Sequence, residues 1–266
     1  MGSYVGQCVD WAEGELPEPP KLVATEPLYS GSRTAGRLPP VTQAGYSDGS
    51  YGGAAARWVA GKCKDQTVGG ILFRQQYPGA DLTTYSPQRA KEWGNVLCGG
   101  GANGMALAKL ANKNTATNVA LVRSFDEAAA SIESGYCVPV CSGVGFSSQR
   151  DADGFAPRQG SWAHCMCFIA VRYAKNEGKR DGLLCMNSWG VFNAGPKWPA
   201  DQPDGSFWVD RQTVDAMLSG QDSFSISGVN FRYRNLDHGN WLQPFTPEAR
   251  TPSPARLIAD TFHLAQ

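Results

Sequence analysis

The sequence predicts an α+β protein, because helical and strand-like patterns occur in separate stretches of the chain. Residues 125–135 are typical of a helix: Ser124 is a good N-cap, acidic residues fill the first turn, and Gly135 can close the last one. An apolar run rich in Val, Ile and Phe follows His164, and a second run covers residues 183–186. Both runs have the length and composition of β-strands.

Composition narrows the class of protein. With 266 residues, 42% of them hydrophobic, the chain is expected to be globular, as one large domain or two fused lobes. Its 24 Lys and Arg balance 24 Asp and Glu, so we expect no general attraction to nucleic acid or to an anionic membrane. No apolar run approaches the roughly 20 residues of a membrane-spanning helix, and no signal segment opens the numbered chain. We therefore expect a cytoplasmic protein.

Eight cysteines would suit four disulfides, but their positions favour the reduced state. Cys165, Cys167 and Cys185 fall within predicted strands, and Cys137 and Cys141 flank another apolar segment, where thiols behave as small hydrophobic groups. Zinc would require a second pair of ligands at metal spacing, and the sequence has none. We expect neither a metal nor another cofactor.

The first half gives weaker signals. Residues 22–33 are predicted to form a loop with one possible short helix. A helix is predicted over residues 54–60, ended by Gly61. The glycine-rich residues 99–104 lack the Gly-Lys-Ser/Thr ending of a phosphate loop and are predicted to be a flexible connection before a short helix over residues 105–110.

The second half is clearer. A strand is predicted over residues 136–141, then a polar loop, the strand that His164 opens, and the strand that ends at Asn187. A proline-rich excursion precedes an alternating strand over residues 205–210, and a closing strand is predicted over residues 223–227.

His164 and Asn187 are the first candidates for chemistry. If their strands are antiparallel neighbours, the start of one lies beside the end of the other. The carboxamide oxygen of Asn187 could then accept a hydrogen bond from one imidazole nitrogen and leave the other for a proton. Trp189 follows at a spacing that would let its indole cover the pair from water.

These residues resemble the papain-like cysteine peptidases. Asn187, Ser188, Trp189 and Gly190 match the string that follows an apolar strand in that family, and His164 matches the histidine of the preceding strand. The resemblance implies a papain-like fold, with a reduced helical lobe packed against an antiparallel β-barrel-like lobe, and a Cys-His-Asn site in the cleft between them. It implies a helical lobe over residues 1–120, a β lobe over 121–230 and a proline-rich docking tail over 231–266.

The resemblance also implies the nucleophile. Gly6, Gln7 and Cys8 resemble the tight turn that delivers the family's cysteine to the first turn of a helix, where the helix dipole favours the thiolate. Cys8 is therefore the candidate nucleophile, although taken alone it also fits a buried structural cysteine. His164 would take and return the proton, Asn187 would orient the ring, and no metal would be needed.

Further residues take supporting roles in this interpretation. Trp189 would shelter the hydrogen bond between His164 and Asn187, and Gln7 adjoins the nucleophile. The glycine-bearing loop with Asp48, Gly49 and Ser50 resembles the family's substrate-side loop. Substrate contacts are also predicted for Trp162 and Ala163, which immediately precede His164. The substrate would be a peptide or protein.

Two departures from the family keep an alternative open. The position of the family's oxyanion glutamine falls on Met1 or Gly2, and Gly14 with the prolines at 17, 19 and 20 ends any helix after about two turns. The alternative is a non-catalytic protein of papain-like fold, for example a virion-associated assembly protein of a phage. Its tail, residues 231–266, would then dock to a protein partner.

Overall fold

A computed structural model describes residues 22–41, 48–63, 68–174 and 180–229. These residues form two compact units, one that ends at Val119 and resumes at Ile226, and one from Ala120 to Ser225. Both contain helices and antiparallel strands, so the chain has the predicted α+β class. Cys8, Gln7 and the tail over residues 231–266 lie outside the described residues. Within the described ranges, no helix combines the length and apolar character needed to cross a bilayer.

The described residues of the first unit are built mainly from four helices. They are α1 (Thr25–Ala35), α2 (Gly52–Val59), α3 (Pro87–Trp93) and α4 (Gly101–Ala111), accompanied by the short pair β1 (Gln76–Tyr77) and β2 (Ala80–Asp81). Trp58 is fully buried in the core of this unit. A Cβ atom at Gly31 would lie 1.9 Å from the Trp58 ring, so only glycine lets α1 approach α2 this closely.

A buried carboxylate joins three segments of this unit. Glu26 on α1 is fully buried, and its oxygens lie 2.8 Å from Arg74 Nη1 and 2.7 Å from Arg89 Nη2. The backbone N–H of Ser86 donates to the same carboxylate at 3.0 Å. Burial by itself would raise the pKa of Glu26, but the hydrogen bonds from Arg89 and from backbone N–H groups, with the charge of Arg74, outweigh it and lower the pKa.

Two sequence predictions for this unit were wrong. Residues 25–35 form a full helix rather than a loop with one possible short helix. Arg33 and Ser30 on that helix donate hydrogen bonds to the distant carbonyls of Gly94 and Val96, contacts that local sequence does not show. The glycine-rich stretch before Met105 is not a free connection. It enters a 3₁₀ turn over Leu97–Gly99 and then begins α4 at Gly101. The helix predicted over residues 54–60 is observed as α2, which begins two residues earlier and ends one residue sooner.

The second unit is organised by a four-stranded antiparallel sheet. Its strands are β4 (Val138–Phe146), β5 (Arg158–Arg172), β6 (Gly182–Met186) and β7 (Ser206–Asp210), in that spatial order. Pro139 is tolerated because β4 is an edge strand of this sheet. Helices α5 (Phe125–Glu133) and α6 (Arg211–Leu218) share a hydrophobic core with one face of the sheet.

The predicted barrel-like closure is not seen. The four-stranded sheet is open. Two further described strands, β3 (Ala116–Leu121) and β8 (Phe224–Val229), pair with each other in a separate sheet. The boundary between the two units runs through both of these strands. Sequence patterns predict strands well, but closure depends on strand number and stagger, which they do not specify.

Candidate functional site

His164 lies inside strand β5 rather than at its start, because β5 begins six residues earlier at Arg158 and pairs there with β4. It stands opposite Ser142 of β4. Neighbouring pairs on the same face, Val140 with Met166 and Val138 with Phe168, are buried in the core of the unit. His164 therefore lies where the buried stretch of β5 ends, whereas Val144 and Phe146 farther along β4 remain buried in the same core.

Asn187 directly follows the last residue of β6. Its backbone N–H continues the pairing with the next strand by donating to the carbonyl of Gly205 at 3.1 Å. A Cβ atom at Gly205 would lie 2.4 Å from the Gly190 carbonyl oxygen, and its φ of 73° is in the left-handed region. Glycine at this position therefore lets the chain after Asn187 turn closely against the start of β7.

The side chains of His164 and Asn187 are in contact. His164 Nε2 lies 3.0 Å from Asn187 Oδ1, and Asn187 is 6% exposed. The backbone N–H of Ser188 donates to the same oxygen at 2.7 Å. Because a backbone N–H can only donate, the shared atom is the amide oxygen and not the nitrogen.

This arrangement selects one tautomer of the imidazole. An oxygen acceptor requires Nε2 to carry the hydrogen, and in a neutral imidazole the other nitrogen, Nδ1, then holds the lone pair. In this tautomer, Nδ1 is the ring nitrogen that can accept a hydrogen bond.

Aromatic rings cover the pair. Trp189 stacks on the His164 ring with the ring centroids 4.4 Å apart and an interplanar angle of 25°. Trp162 packs against Trp189 at 4.9 Å, and Phe192 contacts both indoles. Trp189 itself is 46% exposed, so the cluster has one face toward solvent. The rings exclude water from one side of the imidazole and restrict its rotation.

The loop after Asn187 is held by buried polar side chains. Asn193 donates to the Ser147 carbonyl at 2.8 Å. Arg150, which is 8% exposed, donates to the carbonyls of Gly195 and Pro196 at 2.8 Å each and to that of Ser206 at 3.1 Å. These bonds fix the segment that carries Trp189 and Phe192, so the covering rings have a defined position.

The other candidate site residues in the described ranges are half-buried or exposed. Trp162 is half-buried in the ring cluster, and Ala163 is exposed on β5. Asp48, Gly49 and Ser50 are exposed in the first unit, where Arg33 donates to the Gly49 carbonyl and Asp48 Oδ1 accepts from the Gly49 N–H at 2.8 Å.

Of the seven cysteines in the described ranges, three are buried in the cores of the two units and four face one another in pairs. Cys63 and Cys98 are buried in the core of the first unit, and Cys185 in that of the second. Burial raises the pKa of Cys98 to about 12. The remaining four face one another in two pairs, Cys141 with Cys165 and Cys137 with Cys167. Cys8 lies outside the described residues, so its pairing with His164 stays a prediction.

Three residues of the site escaped sequence reasoning. Ser142 faces His164 across the strands, Phe192 completes the ring cluster, and Arg150 supports the loop. An aromatic residue three positions after Trp189 was a possible signal for Phe192. The other two depend on strand register and on long-range backbone contacts.

Comparison with known protein families and with curated proteins finds no match. Among solved structures, a clostridial cysteine protease, Cwp84 after propeptide cleavage, is similar with a TM-score of 0.44 and 14% identity, covering 85% of this chain and 52% of that one. The chain thus spans about half the length of that structure. The likeness is distant and concerns the fold alone. The chemistry of the site must follow from its own residues and distances.

Replacing Asn187 by alanine is expected to let the neutral His164 ring populate both of its tautomers. In the parent protein, ¹⁵N NMR of the neutral ring should show protonation at Nε2 alone, because Asn187 Oδ1 accepts from that nitrogen. In Asn187→Ala the signals should move toward a mixture of both tautomers. Ser188→Ala is the matched control, since it keeps the backbone N–H that orients Asn187. An unchanged spectrum in Asn187→Ala would refute the assigned hydrogen bond.

Proposed function

We propose that this protein is a papain-like thiol peptidase that hydrolyses peptide bonds through Cys8, His164 and Asn187. The observation that carries the proposal is the hydrogen bond of 3.0 Å between His164 Nε2 and Asn187 Oδ1, stacked under Trp189. It prepares Nδ1 of the same ring to accept a proton. A histidine so prepared is the partner that a nucleophilic thiol requires.

The proposed reaction has two steps. The Cys8 thiol gives its proton to His164 Nδ1, and the thiolate attacks the peptide carbonyl carbon. The C–N bond breaks as the imidazolium returns the proton to the leaving amine, which leaves an acyl thioester on Cys8. Water then gives a proton to His164 and attacks the thioester. The C–S bond breaks, the acid is released, and the thiol is restored.

Asn187 and Trp189 have distinct parts in this proposal. Asn187 keeps the imidazole in the tautomer that accepts at Nδ1 and stabilises the charged ring. Trp189 shields the hydrogen bond from water, which strengthens it. The backbone N–H of Cys8 would donate to the oxyanion. The exposed Asp48, Gly49 and Ser50, with Trp162 and Ala163, are proposed to contact an extended peptide.

Selective alkylation tests the proposal. With limiting iodoacetamide at neutral pH, Cys8 should be modified faster than the six thiols that are less exposed than Cys165, as read by mass spectrometry of the digested protein, because Cys8 would be held as a thiolate by an imidazolium. Labelling of Cys8, unlike that of the exposed Cys165, should slow in His164→Ala. Cleavage of a denatured protein substrate should be lost in Cys8→Ser and kept in Cys63→Ser. Equal labelling of Cys8 and absence of cleavage would contradict the peptidase and favour the non-catalytic alternative.

A further inference from the structure

Two cysteines stand directly opposite each other on strands β4 and β5. Cys141 pairs with Cys165 in a stretch of regular register that also pairs Val140 with Met166 and Ser142 with His164. Side chains alternate between the faces of a strand. The two thiols therefore project from the same face of the sheet, the face opposite to that of His164.

The backbone pattern at this pair favours a disulfide. The N–H of Cys141 donates to Ser223 Oγ at 3.2 Å and so is not used in the ladder with β5. Cys141 and Cys165 are then a non-hydrogen-bonded antiparallel pair, in which the Cα atoms lie about 4.5 Å apart. That separation falls within the range of about 4.4–6.8 Å that disulfides span.

The sulfur atoms are already close. Cys141 donates its thiol hydrogen to Cys165 across a Sγ–Sγ distance of 2.8 Å. Cys165 is exposed and Cys141 is half-buried, so a small reagent reaches the accepting sulfur first. This hydrogen bond lowers the pKa of Cys165 and, for the same reason, raises that of Cys141. Cys165 is thus the attacking thiol and Cys141 the resolving one.

The neighbouring thiols do not share this geometry. Cys137 precedes β4 and forms a hydrogen bond with Cys167. The residue directly opposite Cys167 across the strands is Pro139. Diagonal residues of a sheet lie about 7–8 Å apart, at or beyond the reach of a disulfide. The four thiols do not form one metal site either, since within the described ranges no three Cys, His, Asp or Glu side chains are grouped to hold an ion.

We propose that Cys141 and Cys165 are a redox-active dithiol that low-molecular-weight disulfides, such as oxidised glutathione, convert to a cross-strand disulfide. The Cys165 thiolate attacks one sulfur of the reagent, forms a mixed disulfide and releases one thiolate. The Cys141 thiolate then attacks the Cys165 sulfur and releases the second. The protein loses two hydrogens, and the reagent is reduced to two thiols.

Peptide mapping tests this inference. The full chain, in a Cys8→Ser background, is incubated with oxidised glutathione, the remaining thiols are blocked, and the protein is digested without reductant. We expect a cross-linked peptide joining Cys141 to Cys165, two hydrogen masses lighter than the reduced pair, in most molecules. A persistent glutathione adduct on Cys165, or two thiols that remain free, would overturn the proposal.

Two variants sharpen the result. Cys141→Ser removes the resolving thiol, so Cys165 should remain as a stable glutathione adduct. Cys137→Ser removes a thiol of the diagonal pair and should leave the link between Cys141 and Cys165 intact. A link from Cys165 to Cys137 or Cys167 in the parent would also contradict the assignment. The mapping in the parent requires no substitution in the pair itself.

Discussion

Replacing His164 by alanine is expected to lower peptide cleavage on the order of a thousandfold, because the variant loses the group that takes and returns the proton. It should also change the pH dependence of alkylation at Cys8. An ordinary thiol has a pKa of about 8.5 and is only about 0.03% ionised at pH 5. A thiolate paired with imidazolium persists at that pH. A more acidic thiol is also a weaker nucleophile, and this offsets part of the difference in ionisation. Alkylation of Cys8 at pH 5 should therefore be about 30-fold slower in His164→Ala than in the parent.

The control for this variant is His238→Ala, which removes a histidine outside the proposed set of Cys8, His164 and Asn187. It should keep both the cleavage rate and the pH profile of the parent. Circular dichroism and the thermal unfolding curve of His164→Ala should match those of the parent, since His164 is only half-buried. If folded His164→Ala cleaves within twofold of the parent rate, His164 is not the base and the proposed mechanism fails.

Replacing Glu26 by glutamine is expected to reduce the free energy of unfolding by about 3 kcal/mol at neutral pH. Glu26 is fully buried between Arg74 and Arg89, whose side chains are 13% and 22% exposed. Glutamine keeps the size of the side chain but removes the charge, which leaves two largely buried guanidinium groups without their carboxylate. Urea unfolding of both proteins measures the difference.

The pH dependence of this effect has a definite sign. The pKa of Glu26 is lowered on folding from its ordinary value of 4.5, so its ionised form contributes stability above that value. The contribution is lost as the pH falls through the lower pKa of the folded state. The difference between the parent and Glu26→Gln should therefore be largest at neutral pH and shrink below about pH 4.5.

Glu92→Gln is the matched control, because Glu92 is exposed and its described side-chain partner is Gln88 on the same helix. It should change the free energy of unfolding by less than about 0.5 kcal/mol. Equal effects of the two substitutions, or a Glu26 effect that grows in acid, would refute the role given to the buried carboxylate.

Much of the second unit was predictable because its signals are local. Helix α5 begins after Ser124, whose hydroxyl accepts from the Glu127 N–H as an N-cap should, and Gly135 adopts a φ of 88° just past its end. The length of helix α1 was underestimated because much of its support is distant in sequence. Arg33 on that helix donates to backbone carbonyls of three separate segments, at Pro39, Gly49 and Gly94.

The site also has a part that local sequence patterns predict and a part that depends on strand register. A strand-like run after His164 and another that ends at Asn187 were enough to predict that the two side chains come together, although β5 extends further than the pattern indicates. The partner thiol for Cys165 was not predicted, because it depends on register. A shift of one residue between β4 and β5 would turn Cys141 to the other face.

The division of β3 and β8 between the two units bears on the order in which the chain can fold during synthesis. Domains usually complete from the N-terminus onward as the ribosome extends the chain. Here the described part of the second unit is contiguous and ends at Ser225, whereas the first unit still lacks the segment that begins at Ile226. The N-terminal helices therefore leave the ribosome before the strand that pairs with β3. The first unit therefore begins to be synthesised before the second, but its described strands are completed after those of the second unit.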